Sequence, residues 1–349
     1  MKKKLAYLLA CSPNLAFAAG NVALGINKYN SDKDYDILVY HTGLQENDKR
    51  AFEQIPHVRL VPYSLPEGFA EFMLGPNGLP PGRWNNPYSL LAFAHFETFI
   101  LLEQYRRVIW LDIDMAIQAD IRPLNAYEGL AMGWDWNRTD CWKVRNQFTA
   151  PIAGYDMSAY AYCSACIVIS DTLKNYRSIY DFCWAKAKEY APYLHTADQG
   201  LINLALQEFN ITPKPLQWHD WLCFAQYPEA HIAKIAHFGT GTKPWNTSWL
   251  LQSFPEWFRT HLRWLELGGS DFDFADLDIS NIAPAYHSLL QHKTPTRPSG
   301  PGTEARLTTF FRYYRCKILS KITWGQKRRH YKQKRDKLHE QIRILRKQK

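Results

Sequence analysis

No stretch of this 349-residue chain stays apolar for the roughly 20 residues that a membrane-spanning helix requires, so the sequence predicts no such span. Cysteine is scarce too. Seven unevenly spaced cysteines do not form a paired extracellular framework. Cys163-Ser164-Ala165-Cys166 has redox or half-zinc spacing, but no second Cys-x-x-Cys completes a zinc site. On a strand, residues three apart face opposite sides, so both cysteines read as core. Charge is also low: 21% of residues are charged against 46% hydrophobic, which excludes disorder for the bulk of the chain. No internal repeat is visible. What remains is a chain long enough for one large or two small domains with an ample core.

The formal charge of +9 is unevenly spread. Residues 304–349 carry 16 Lys/Arg against 3 Asp/Glu, so the rest of the chain is net negative. Residues 292–303, rich in Pro and Gly, read as a linker. The expected organisation is a body over 1–291, the linker, and a basic tail over 304–349. The tail interleaves bases with Phe310, Phe311, Tyr313, Tyr314, Ile318, Leu319, Ile322 and Trp324. At helical pitch that is an amphipathic stretch suited to an anionic membrane surface, or else a solvated charged helix. A basic tail can also bind nucleic acid, but the negative body and the lack of a recognised nucleic-acid motif argue against that class.

The N-terminus imitates a secretory signal: Lys2-Lys3-Lys4, then Leu5–Ala10, then Ala16-Phe17-Ala18-Ala19. The apolar run is broken by Cys11-Ser12-Pro13-Asn14, and a helical pattern runs on through Ala18, Val22, Leu24 and Ile26. The expectation is a strand, a loop and a helix over 15–28. Further buried strands are expected at Asp36–Tyr40, His57–Val61, Val108–Leu111 and Cys163–Ile169. Helices are expected at 88–105, 172–190 and 197–208, and a long functional loop at 63–87. Strands alternating with helices predict a doubly wound α/β sheet.

Asp112-Ile113-Asp114 closes the strand at 108–111. Residues i and i+2 of extended chain share a side, so both carboxylates can meet just outside the strand's carboxyl end, where open α/β sheets bind ligands. Two hard oxygen donors suit Mn²⁺ or Mg²⁺ with diphosphate oxygens; the plainer reading is a solvated turn. His237 follows a short apolar run and precedes Gly239-Thr240-Gly241-Thr242-Lys243-Pro244-Trp245. It reads as a third metal ligand or a structural histidine. The loop offers backbone N–H groups and the Lys243 cation to a phosphate. Asp198 and Gln199 open the helix at 197–208. Asp198 reads as a helix cap or, with Gln199, as a binder of sugar hydroxyls.

In this order, Trp110-Leu111-Asp112-Ile113-Asp114, Asp198-Gln199 and His237 through Lys243-Pro244-Trp245 resemble family 8 of the retaining glycosyltransferases, which includes bacterial lipooligosaccharide galactosyltransferases. The resemblance runs from residue 5 to about 250. It implies a GT-A fold, a mixed doubly wound sheet. It implies that Asp112, Asp114 and His237 bind Mn²⁺ (Mg²⁺ as the alternative), that Lys243 contacts the diphosphate of a UDP-sugar, and that Ile113 and Gly241 help bind that donor. It implies that Ala10, Ser12 and Asn14 cradle the uridine. Asp198 and Gln199 would hold the donor sugar, with Gln199 beside the anomeric carbon, and Asp135 would touch the acceptor. The chain departs from the family at His95, where an Arg is usual and which would face the donor, and at Ser12, Cys163-Ser164-Ala165 and Thr240. The implied activity is transfer of a hexose, galactose or glucose, to a saccharide or lipid-linked acceptor of lipopolysaccharide or capsule type. The implied setting is the cytoplasmic face of the plasma membrane, with no nucleic-acid partner. An inactive carbohydrate-binding relative is the competing reading.

Overall fold

The computed structural model describes residues 2–31, 34–74, 90–137, 140–239 and 242–272. The linker at 292–303, the basic tail, Thr240 and Gly241 therefore lie outside the described residues. Among the described residues, no helix is long and apolar enough to cross a membrane.

The strands, in chain order, are β1 (Lys3–Cys11), β2 (Asp36–His41), β3 (Val58–Pro62), β4 (Tyr105–Leu111), β5 (Met115–Ile117), β6 (Leu130–Trp134), β7 (Trp136–Asn137), β8 (Asp140–Cys141), β9 (Tyr162–Ser170), β10 (Lys214–Pro215), β11 (Cys223–Phe224) and β12 (Ile235–His237). The main sheet has seven strands in the order β10-β6-β9-β4-β1-β2-β3. β4, β1, β2 and β3 run parallel, while β9 runs antiparallel to both β4 and β6. A parallel strand covered on both faces must be apolar on both, and β1 is buried continuously from Leu5 to Leu9. β5, β11 and β12 form a separate three-stranded sheet, and β7 pairs with β8.

The helix Ala16–Tyr29 follows β1 and packs against the helix Pro255–Glu266. Gly20 allows that approach: a Cβ there would stand 2.3 Å from the Trp264 ring. On the other face, Phe69, Phe93 and Phe96 each meet Trp184 edge-on or at a tilt. Trp184 belongs to the helix Tyr176–Tyr190.

Several elements differ from expectation. The segment at 88–105 is not one α-helix: among the described residues it is a 3-10 turn (Leu90–Phe96), a short α-helix (Glu97–Ile100) and a second 3-10 turn (Leu101–Glu103). Leu91, Phe93, Ala94, His95 and Phe96 are all buried, so no polar face sets a regular 3.6-residue pitch. The loop at 63–87 contains a helix, Phe69–Leu74, anchored by the buried Phe69; its residues 75–87 lie outside the described residues. β3 begins at Val58 because His57 adopts φ of 65°, a left-handed conformation no strand residue takes.

Candidate active site

β4 ends at Leu111, and the Asp112 amide still donates to the Ala165 carbonyl at 2.9 Å. Pairing with β9 therefore fixes the backbone on which both aspartates stand. The chain then turns into β5, which pairs antiparallel with β12 so that His237 lies opposite Met115. The Phe238 amide donates to the Asp114 carbonyl at 2.8 Å. This pairing delivers His237 to the aspartates across more than a hundred residues of sequence.

His237 Nε2 stands 3.4 Å from Asp114 Oδ1 and 3.9 Å from Asp112 Oδ2. One donor atom from each of the three residues falls within a 4.8 Å cluster. Donors bonded to one divalent ion at about 2.1 Å lie about 3 to 4 Å apart, so the spacing fits. Two carboxylates and an imidazole also suit Mn²⁺ better than a soft metal. Lys243 pairs with Asp114 Oδ2 and donates to the Phe238 carbonyl. Burial works to raise the Asp114 pKa, but Lys243 and His237 outweigh it and hold the carboxyl well below the usual carboxylate range.

His95 joins this cluster to a second one. Its Nε2 is 3.1 Å from Asp112 Oδ1, and its Nδ1, hydrogen-bonded to the Ala92 carbonyl at 2.5 Å, lies 3.3 Å from Asp198 Oδ2 as a charge contact. Its ring packs on Trp110 at 3.8 Å between centroids. Burial alone would lower its pKa; Asp198 and Asp112 overcome that and push it up to about 9. Burial also raises the Asp198 carboxyl, against the pull of His95. Asp198 is not a working cap: it precedes the helix Gln199–Glu208, but its side chain makes no capping hydrogen bond. The His95 contact explains its side-chain placement.

Gln199 Nε2 donates to Asp135 Oδ2 at 2.7 Å, and Gln199 Oε1 accepts from the Ser164 amide at 3.0 Å. The carboxamide is thus held at both ends. Burial pushes the Asp135 carboxyl up to about 6, with Gln199 among the groups acting the other way. Ala10, Ser12 and Asn14 lie at the end of β1 or just beyond it. Leu8 pairs with Trp110, so Ala10 is level with Asp112 in the sheet. Ser12 Oγ donates to Asn14 Oδ1 at 2.7 Å. Cys163 and Cys166 are both buried free thiols, in keeping with a core role.

Three contributors escape sequence reasoning. Trp110 Nε1 donates to Asp112 Oδ1 at 2.7 Å; its i, i+2 relation to Asp112 was the available signal. Ser164 orients Gln199, and Gly239 leaves room for the His237 ring: a Cβ there would stand 2.6 Å from His237 Cε1.

Residues 7–248 match the model of glycosyl transferase family 8. The chain belongs to this family. Its sheet and site place it among the GT-A folds, and family 8 membership makes it a glycosyltransferase. The structure is similar to the galactosyltransferase LgtC solved with donor and acceptor sugar analogs, at 17% identity and a TM-score of 0.53. That match covers 81% of this chain and 99% of the other. An active-site mutant of LgtC, with a glutamine changed to glutamate, matches at 17% identity and a TM-score of 0.51 over the same shares. The bifunctional glycosyltransferase WbbM matches at 13% identity and a TM-score of 0.49, covering 83% of this chain and 52% of that one. No curated protein matches the chain. Within family 8, this member carries His95, buried between Asp112 and Asp198.

Proposed function

We propose that the protein transfers a hexose, galactose or glucose, from a UDP-sugar to a saccharide acceptor, with retention at the anomeric carbon and with Mn²⁺. The observation that carries this reading is the Asp112, Asp114 and His237 cluster with Lys243 on its rim, at the carboxyl end of β4. Those three residues would hold the ion, which supplies Lewis-acid stabilisation of the leaving diphosphate when bound. Lys243 adds a second positive charge for the same oxygens. The cationic His95 holds Asp198 next to the site, where its carboxylate accepts donor-sugar hydroxyls.

Gln199 is a poor nucleophile, so the residues favour same-face attack. The acceptor hydroxyl oxygen bonds to the anomeric carbon as the bond to the diphosphate oxygen breaks. The proton passes to that departing oxygen. Gln199, clamped by Ser164 and Asp135, orients the reacting face, and Asp135 accepts from an acceptor hydroxyl. The body 1–291 would carry the reaction. The basic tail 304–349 would hold it on the cytoplasmic face of the plasma membrane, near a lipopolysaccharide or capsule precursor.

Calorimetry with a panel of nucleotide sugars, with and without Mn²⁺, tests the reading. Mn²⁺-dependent binding of one UDP-hexose, lost in Asp112→Ala and Asp114→Ala, is expected. Binding that is indifferent to metal and to both substitutions would reject it.

A further inference from the structure

Beside the reacting residues lies a groove of about 290 Å³ that the reading above does not use. Trp134, Tyr160 and Tyr162 line one side, and the end of the helix Gln199–Glu208 with the turn after it lines the other. Trp134 stacks on Tyr162 at 4.3 Å with planes 19° apart and meets Tyr160 edge-on at 6.0 Å. Trp134 is 39% exposed and Tyr160 50% exposed. A stacked aromatic pair left open to solvent forgoes the burial that usually fixes such rings.

The walls are rigid. Asn203 accepts from the Tyr162 amide at 2.7 Å and donates to the Tyr162 carbonyl at 2.8 Å, which pins the strand under the aromatic pair. Gln207 is likewise bound to both backbone groups of Asp156. The rim differs: Asn210 and Thr212 are exposed. Among the described residues neither side chain has a hydrogen-bond partner. The groove thus pairs an aromatic floor with uncommitted amide and hydroxyl groups at its edge. A pyranose has the matching surface, with a C–H face for the rings and hydroxyls at its perimeter. Lys143 covers one face of the Tyr160 ring, at 2.9 Å from its centroid, which leaves the other face to a ligand.

The groove and the reacting site are built on the same elements. Asp135 follows Trp134 directly and accepts from Gln199, while Asn203 donates to the Gln199 carbonyl. At about 1.5 Å of rise per residue, Asn203 and Gln207 lie roughly 6 and 12 Å down the helix from Gln199.

We infer that this groove is an acceptor subsite, binding sugar rings of an oligosaccharide chain beyond the ring that receives the hexose. The inference rests on the reading that the acceptor is a saccharide. The full chain would be titrated with malto-, cello- and chito-oligosaccharides of two to six sugars, followed by saturation-transfer NMR. At least one series should bind, more tightly with length. Trp134→Ala and Tyr160→Ala should each weaken that binding about tenfold, the effect of losing one aromatic contact. Trp134→Phe should recover most of it, and Mn²⁺-dependent UDP binding should be unchanged in all three. Absence of binding by every series, or binding insensitive to both alanine variants, would overturn the subsite. If Trp134→Ala lowers the melting temperature, Tyr160→Ala on its exposed ring decides. Failure of the wild type to bind UDP with Mn²⁺ while oligosaccharides still bind would strike the donor reading and leave the groove standing.

Discussion

His95 Nε2 lies 3.1 Å from Asp112 Oδ1, so a buried imidazolium stands where the resemblance to family 8 leads one to expect an arginine. Its other nitrogen faces Asp198, and the two carboxylates would repel each other without it. Removing one partner of a buried charge cluster typically costs about 3 to 5 kcal/mol. His95→Phe keeps the stacking on Trp110 but not the charge, and should lower the metal-free protein's stability by a similar amount at pH 6. The folded-state pKa is raised above the ordinary value of about 6.5, so the stabilisation is complete below that value and disappears as pH rises through about 9. The gap between the wild-type and His95→Phe melting temperatures should therefore close by about pH 10. A constant gap across that range would show that His95 acts by packing alone. His95→Arg should keep part of the pH-6 stability.

Gly239→Ala tests the seat of His237. The added Cβ would stand 2.6 Å from both His237 Cε1 and Phe224 Cε1. Phe224 packs on His237 at 5.2 Å, so the imidazole has little room to yield without leaving the aspartates. Mn²⁺ affinity should fall about 10- to 100-fold, as when other groups that orient a ligand are disturbed. The clash should also cost the metal-free protein about 1 to 3 kcal/mol, so the affinity is measured well below its melting temperature. Titration calorimetry with Mn²⁺ checks this; unchanged affinity would show that His237 does not bind the ion.

How far the site could be read in advance depends on sequence distance. Asp112 and Asp114 were legible because one buried strand and its period of two put both carboxylates on one side. His237 was legible as a candidate, but its delivery rests on β5 and β12, strands of three residues whose pairing has no local signature. Asp198 suggested a cap because only its neighbours in sequence were in view; the tertiary partner His95 overrides that. The 3-10 turns at 90–96 failed for a related reason: a segment buried on all sides carries no amphipathic period to read. Ser164 counted only as a departure from the family pattern, and its amide is what holds Gln199.

Asp135 offers a pH signature for acceptor binding. Burial raises its pKa to about 6, so it is largely ionised at pH 7.5 and protonated near pH 5. A carboxylate that accepts from an acceptor hydroxyl loses that ability on protonation. The KM for acceptor should rise as pH falls through about 6, while the KM for donor stays flat. Asp135→Asn should raise the acceptor KM at pH 7.5 and abolish its dependence on pH in this range. If Asp135→Asn retains the acid limb, another group produces it.

Asp36 sits at the start of β2 and ties four strands together: Lys3 of β1 donates to it at 2.7 Å, Arg59 of β3 at 3.0 Å and Tyr105 of β4 at 2.6 Å. Burial works to raise its pKa, but these three donors prevail and lower it. A depressed carboxylate stabilises the fold above its unfolded pKa of about 3.9, and the contribution fades as pH falls through the lower folded value. Asp36→Asn keeps the shape but cannot satisfy two cations. It should cost about 2 kcal/mol at pH 7, the scale of hydrogen bonds to a charged group, somewhat reduced because Lys3 and Arg59 are half exposed. Because the tie lies at the strand end opposite Asp112, metal affinity should not change. Urea unfolding at pH 7 and near pH 3 checks both the size and the sign: the mutant's deficit should shrink in acid. A deficit that grows in acid would show that Asp36 is protonated more readily in the folded protein than in the unfolded chain, the reverse of what its three donors require.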